Sequence, residues 1–167
     1  MLTEAIRLTL FPATMAFAAS SDLFTMTIAN RISLILLGGF MLLAVMTGMN
    51  ATDMASHFGA AGAVLLTGFV LFSCGWIGGG DAKLAAATAL WLGFAHLFDY
   101  LIYSSILGGV LTVALIQFRK LPLPAALAGH EWIERLHRTG GAVPYGIALA
   151  AAALLIYPHT EWMSLAF

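Results

Sequence analysis

The chain alternates between long uncharged stretches and short polar breaks. The uncharged runs are 8–21, 32–52, 54–80, 84–98, 100–118 and 139–160. A bilayer core near 30 Å thick needs roughly 20 helical residues at 1.5 Å each. Runs 32–52, 54–80, 100–118 and 139–160 meet that length. Run 8–21 reaches it if its helix starts near Leu2, with Glu4 and Arg7 at the interface, and run 84–98 is a shorter sixth span. None of the runs shows the strict period-2 alternation of a membrane strand. The pattern predicts an all-α integral membrane protein, a six-helix transmembrane bundle forming one domain over residues 1–167.

Composition sharpens this picture. The 167 residues are 61% hydrophobic and only 9% charged, with a formal net charge of −1 and a mean hydropathy of +0.95. A soluble domain carries about 25% charged residues, so this chain has too little charge to cover a water-facing surface. That excludes a soluble globule, a nucleic-acid binder and a disordered chain. One cysteine, Cys74, excludes an intrachain disulfide framework and a Cys-rich zinc site; its place in an apolar run reads as core filling.

The few charges orient the spans. With six spans, the segments 22–31, 80–83 and 119–138 share one side and hold Arg31, Lys83, Arg119, Lys120, Arg135 and Arg138. The opposite side, with both termini and the loops near Asp53 and Asp99, has only Arg7. The positive-inside rule puts the basic side in the cytoplasm and both termini outside. A secretory signal ending near Ala16-Phe17-Ala18 is the competing reading of the N-terminus. It would reverse the charge bias, and Glu4 weakens its cationic start. Residues 130–138 read as a short interfacial helix with Trp132, Ile133 and Leu136 turned to lipid. Trp76, Trp91, Trp132 and Trp162 read as interfacial anchors. His57, His96 and His159 fall on the opposite side without metal-ligand spacing.

Two acids on the basic side stand out. Asp22 follows the first apolar run, and Asp81 ends the third, preceded by Gly78-Gly79-Gly80. Both lie at a membrane edge on the same side, on helices that can be neighbours, whereas Asp53 and Asp99 read as caps or interface groups. Two carboxylates a few ångströms apart do not easily both ionise and share one proton. One then serves as general base on a water and the other as general acid on a scissile carbonyl. The glycines permit φ > 0 and leave no side chain between Asp81 and an extended substrate backbone.

These residues carry a family resemblance. Gly-Gly-Gly-Asp-Ala-Lys-Leu (78–84) resembles the GxGD-x-K-L signature of type IV prepilin peptidases. Ser21-Asp22-Leu23 with Ile28, Asn30 and Arg31 resembles the first-aspartate segment, D-x5-I-x-N. Val143-Pro144-Tyr145-Gly146, with Ala148, resembles a further segment of the short members. Alanine at position 29 stands where proline is common. The chain lacks the four-cysteine zinc domain of the large, N-methylating members and resembles the short CpaA/TadV type.

The resemblance implies that Asp22 and Asp81 are the catalytic pair of a GxGD intramembrane aspartic endopeptidase. It implies that the enzyme removes leaders from Flp-type prepilins at the cytoplasmic face of the bacterial inner membrane, after a glycine and just before the pilin's hydrophobic helix. Gly78, Gly79, Gly80, Lys83, Asn30 and Tyr145 are the expected supporting residues. Lys83 acts on Asp81, on a substrate acid or as an anchor; Asn30 bonds the first loop or caps the second helix; Tyr145 reaches in from the last helix, with Pro144 at its first position. No cofactor or metal is expected. The expected partners are the Flp-type prepilin, the bilayer and other pilus-assembly proteins, with no nucleic acid. The rival readings are a presenilin-like protease, a small proton-coupled channel or transporter, which would place acids near the bilayer midplane, and a non-catalytic assembly subunit.

Overall fold

The computed structural model describes residues 2–124, 127 and 129–164. Those residues form helices and connecting turns, with no strand among them. In order these are α1 (Leu2–Thr25), α2 (Asn30–Thr47), α3 (Ala51–Ser73), α4 (Gly79–Phe118), α5 (Glu131–His137), α6 (Tyr145–Ile156), a 3-10 turn (Tyr157–His159) and α7 (Glu161–Ser164). Three are long and apolar enough to cross a membrane: α2, α3 and α4. Of the 119–138 segment, residues 125, 126 and 128 lie outside the described residues.

The helix ends follow local chemistry. The α2 helix closes on Gly48 in the left-handed region (φ 67), whose N–H reaches back to Ala44 and Val45 carbonyls. Asn50 caps α3 by accepting the Asp53 N–H, so Asp53 belongs to a cap as expected. The α6 helix starts only at Tyr145, because Gly140 (φ 73) and Pro144 precede it. Pro144 is its N-cap rather than its first helical residue, and the long run 139–160 contains just this 12-residue α-helix and the turn after it.

The charge pattern separates the fourth and fifth uncharged runs at Asp99; in the structure the separation comes earlier. Within α4, Gly93 has φ 62 and ψ −177, a conformation open essentially to glycine alone. Asp99 lies inside the helix that follows. The break reverses the chain. The start of α4 is tied to α2 by Lys83–Asn30. Its end is tied to the same end of the molecule by Thr112–Tyr145 and by Arg119, which donates to the Leu136 and Ala142 carbonyls. Gly93 instead faces the His57 ring at the far end. His57 Nδ1 donates to the Leu90 carbonyl at 2.7 Å, one of those the break leaves without a helical partner.

The core lies between α1, α2, the first half of α4 and α6, and its centre is aromatic. Phe11, Phe40, Trp91, Tyr157 and Trp162 are mutually packed and buried. Trp91 donates to the Leu36 carbonyl and Trp162 to the Trp91 carbonyl. These two tryptophans are therefore core residues, not interfacial anchors; Trp76 is exposed and Trp132 half-buried against Phe24. A buried indole needs an acceptor for its N–H, and carbonyls of neighbouring helices supply both.

Three further expectations change. Arg7, read as an interfacial charge, has its side chain buried within the protein, and the Tyr157 hydroxyl donates to its carbonyl. Cys74 is the exposed C-cap of α3, not core filling. The apolar face of α5 is turned inward: Ile133 and Leu136 are buried in the protein, and Arg135 donates to the Phe24 carbonyl at the end of α1.

Candidate functional site

Asp22 sits in the last turn of α1 and Asp81 in the first turn of α4. The sequence reading gave Asp81 to the end of the third span. In the structure α3 stops at Ser73, Gly75 (φ 74) turns the chain, and Asp81 opens the fourth helix. The consequence is electrostatic. A helix N-terminus presents unpaired N–H groups and favours an anion, whereas a C-terminus does not. Asp81 is the third residue after its cap, Gly78, and its carboxylate takes a backbone hydrogen bond from Gly78, the reach-back geometry of a capping box.

Asp22, at the unfavourable end of α1, is supported from elsewhere. Its Oδ2 accepts the N–H of Gly146 at 2.7 Å, and Gly146 lies in the first turn of α6. Asp22 is only 5% exposed, so this bond replaces water that the carboxylate has lost. The fit is close: a Cβ on Gly146 would lie 2.8 Å from Asp22 Oδ2 and 2.7 Å from Ile28 Cδ1. The same Ile28 packs against Gly80, where a Cβ would lie 3.1 Å from Ile28 Cβ. Ile28 and Gly146 thus bring the end of α1, the first loop, the start of α4 and the start of α6 to one place. The charge of Asp22 acts on Asp81 across it.

The glycine triplet does not use positive φ. Gly78 is extended (φ −73, ψ 143), and Gly79 and Gly80 are helical. What the triplet supplies is space: a Cβ at Gly78 would lie 2.8 Å from Asp81 Oδ2, and one at Gly79 would meet Phe72 at 3.3 Å.

The other expected residues divide. Asn30 is the first residue of α2, and its Oδ1 accepts from Lys83 Nζ at 2.9 Å, which fixes the first loop to the start of α4. Lys83 is exposed and Arg31 is exposed. The Tyr145 hydroxyl lies 3.0 Å from Thr112 Oγ1, and its ring packs where a side chain on Gly108 would stand. Tyr145 therefore braces α6 against the second half of α4, and the residue after it touches Asp22. Gly146 was legible only as part of the Val-Pro-Tyr-Gly segment, since a backbone N–H leaves no mark of its own in a sequence.

At the far end, a cavity of about 410 Å³ is lined by Asp53, His57, His96 and Glu161 among others. Among the described residues no group of three or more His, Cys, Asp or Glu side chains is placed to hold a metal ion.

No curated protein and no solved structure matches the chain. A model of the type IV leader peptidase family matches residues 9–113, a span that contains both aspartates, the glycine triplet, Lys83 and the Gly93 break. The chain is a helical membrane protein and a peptidase by kinship: it belongs to the type IV leader peptidase family.

Proposed function

We propose that this protein is an intramembrane aspartic endopeptidase that cuts the leader from Flp-type prepilins, with Asp22 and Asp81 as the catalytic pair. The observation that carries the reading is that the end of α1 with Asp22 and the start of α4 with Asp81 converge on Ile28 at one end of the helices. Each aspartate takes a backbone N–H from a different helix start, and the charge of one acts on the other. The reaction follows from a pair that shares one proton. The ionised aspartate takes a proton from water as the water oxygen attacks the scissile carbonyl carbon. The protonated partner gives its proton to the carbonyl oxygen. Collapse of the tetrahedral diol breaks the C–N bond. The diol's proton passes to the leaving amine through the pair, which returns to its singly protonated state.

The proposed topology has six spans: α1, α2, α3, the two halves of α4, and α6 with the turn after it. The first half of α4 and α6 are short, which locally thins a bilayer or draws flanking residues toward it. Arg31, Lys83, Arg119, Arg135 and Arg138 gather at the aspartate end, while Arg7 lies at the other. That bias favours a cytoplasmic aspartate end and outer termini in a bacterial inner membrane. The substrate's peptide then meets the pair where its leader emerges into the cytoplasm.

The test is co-expression with a candidate Flp prepilin, read as the mobility shift of leader loss. Wild type shifts the pilin; Asp22→Asn and Asp81→Asn each leave it unprocessed while accumulating normally in the membrane. Near-normal processing by either variant refutes the two-aspartate mechanism.

A further inference from the structure

A groove of about 340 Å³ lies between α2 and α3, floored by the first half of α4. Leu37, Phe58, Gly62, Leu65, Ala87 and Leu90 line it, and among its described lining residues only Ser33 and Lys83 are polar. All three helices are long and apolar enough to cross a membrane, so the groove lies at membrane depth. Phe58 stands edge-on to Phe40, toward the connected ends of α2 and α3, and closes the groove there. At the other end is Lys83, exposed, with its Nζ donating to Asn30 Oδ1 at 2.9 Å. An ammonium has three donors, so that bond leaves two for a ligand. Ser33 is a second, independent observation. Its Oγ is shielded from solvent and has no hydrogen-bond partner within the protein. Hydroxyls elsewhere on these helices, those of Thr9, Thr14, Ser20, Thr47 and Ser73, donate to the carbonyl four residues back. For Ser33 that carbonyl belongs to Ala29, the N-cap of α2, and it already accepts the Ile32 N–H. An unpaired hydroxyl in hydrocarbon is costly.

We propose that this groove binds an acyl chain of an anionic glycerophospholipid, with the lipid phosphate on Lys83 and an ester carbonyl on Ser33. The order of chemistry along the groove carries the assignment. A cation stands at the mouth, beside Asn30. A hydroxyl follows three residues further along α2, about 4.5 Å deeper. Apolar wall then continues to Leu90, about 10 Å along α4 from Lys83. A phospholipid presents phosphate, ester and hydrocarbon in the same order. Rotation about one bond turns the Ser33 hydroxyl into the groove its residue lines. A membrane-spanning helix matches less well, because its own N–H and C=O groups are already paired and leave Ser33 without a partner. Basic pockets between membrane helices take anionic lipid headgroups for the same electrostatic reason. The site requires only that the protein is embedded in a bilayer, and no step of cleavage.

Native mass spectrometry of the full-length protein, delipidated in detergent, tests this with phosphatidylglycerol and phosphatidylcholine of identical tails. Wild type retains phosphatidylglycerol more tightly by about fivefold, the weight of one basic residue at a lipid headgroup. Lys83→Met removes that preference. Ser33→Ala weakens both lipids alike, because both carry the ester. Gly62→Leu fills the groove and abolishes binding of both. Nothing lies within 4 Å of a Cβ at Gly62, so the new side chain enters the groove without displacing the backbone, and an unchanged Tm in detergent verifies the fold. Equal binding of the two lipids by wild type, or unchanged lipid binding in Gly62→Leu, overturns the proposal. Loss of prepilin cleavage in Gly62→Leu with lipid binding intact also overturns it, and gives the groove to the substrate's helix instead.

Discussion

Gly146→Ala isolates the contact that supports Asp22. The added methyl would lie 2.8 Å from Asp22 Oδ2, 3.0 Å from Asp22 Cβ and 2.7 Å from Ile28 Cδ1. Ordinary contact begins near 3.4 Å, so the carboxylate must retreat by about half an ångström or more. It then leaves its 2.7 Å bond to the Gly146 N–H. A hydrogen bond to a charged group contributes roughly 1.5–3 kcal/mol, and inserting a methylene-sized group into a packed site costs about 1–3 kcal/mol. Relief by movement of Ile28 makes the two costs less than additive. The rate is affected more than the stability, because an ångström of misplacement at a reacting group costs up to about a hundredfold. The expected result is cleavage slowed about 10- to 100-fold in initial-rate assays on protein purified in detergent, with a modest loss of Tm. Gly109→Ala is the control. Nothing lies within 4 Å of a Cβ there, and alanine in place of a helical glycine is neutral or stabilising by up to about 1 kcal/mol. A Gly146→Ala protein that cleaves at the wild-type rate, with unchanged Tm, refutes the account of Asp22.

Gly93→Ala forces a side chain into φ 62, ψ −177 and within 3.1 Å of the His57 ring; it should destabilise the protein by about 1–3 kcal/mol, read as a lower Tm. Cys74 is exposed beyond the last turn of α3, so the proposed topology predicts that a membrane-impermeant maleimide labels it in inverted vesicles and not in intact spheroplasts; the reverse pattern would invert the orientation. Lys83→Met removes an exposed partner of Asn30 and should change stability by less than about 1 kcal/mol, measured by thermal unfolding, so that any larger fall in activity separates a role toward substrate from a role in folding.

Much of this was legible along the chain. Hydropathy runs locate helices because a backbone in lipid must satisfy its own hydrogen bonds, and the observed α1, α2 and α3 follow the first three runs. Asp22 and Asp81 stood out because isolated acids beside apolar runs are few, and the fold brings both to the same end of the helices. The assignment of Asp81 to a helix end failed by one turn of chain. Hydropathy is blind to Gly75, which closes α3 and makes Asp81 the start of a helix instead. The faces of α5 failed for a related reason: an apolar stripe fits lipid and protein equally well, and only the contact with the end of α1 decides between them.

The sequence by itself determined a helical membrane protein with two acids near one end, because composition and period act locally and need no knowledge of neighbours. Tertiary structure decided the rest. Only the folded chain puts the Gly146 N–H on Asp22, turns α4 back at Gly93 rather than at Asp99, and draws Trp91 and Trp162 into the core. Each of these depends on a backbone group or a ring finding a partner dozens of residues away, and such a pairing is a property of packing that no local pattern encodes.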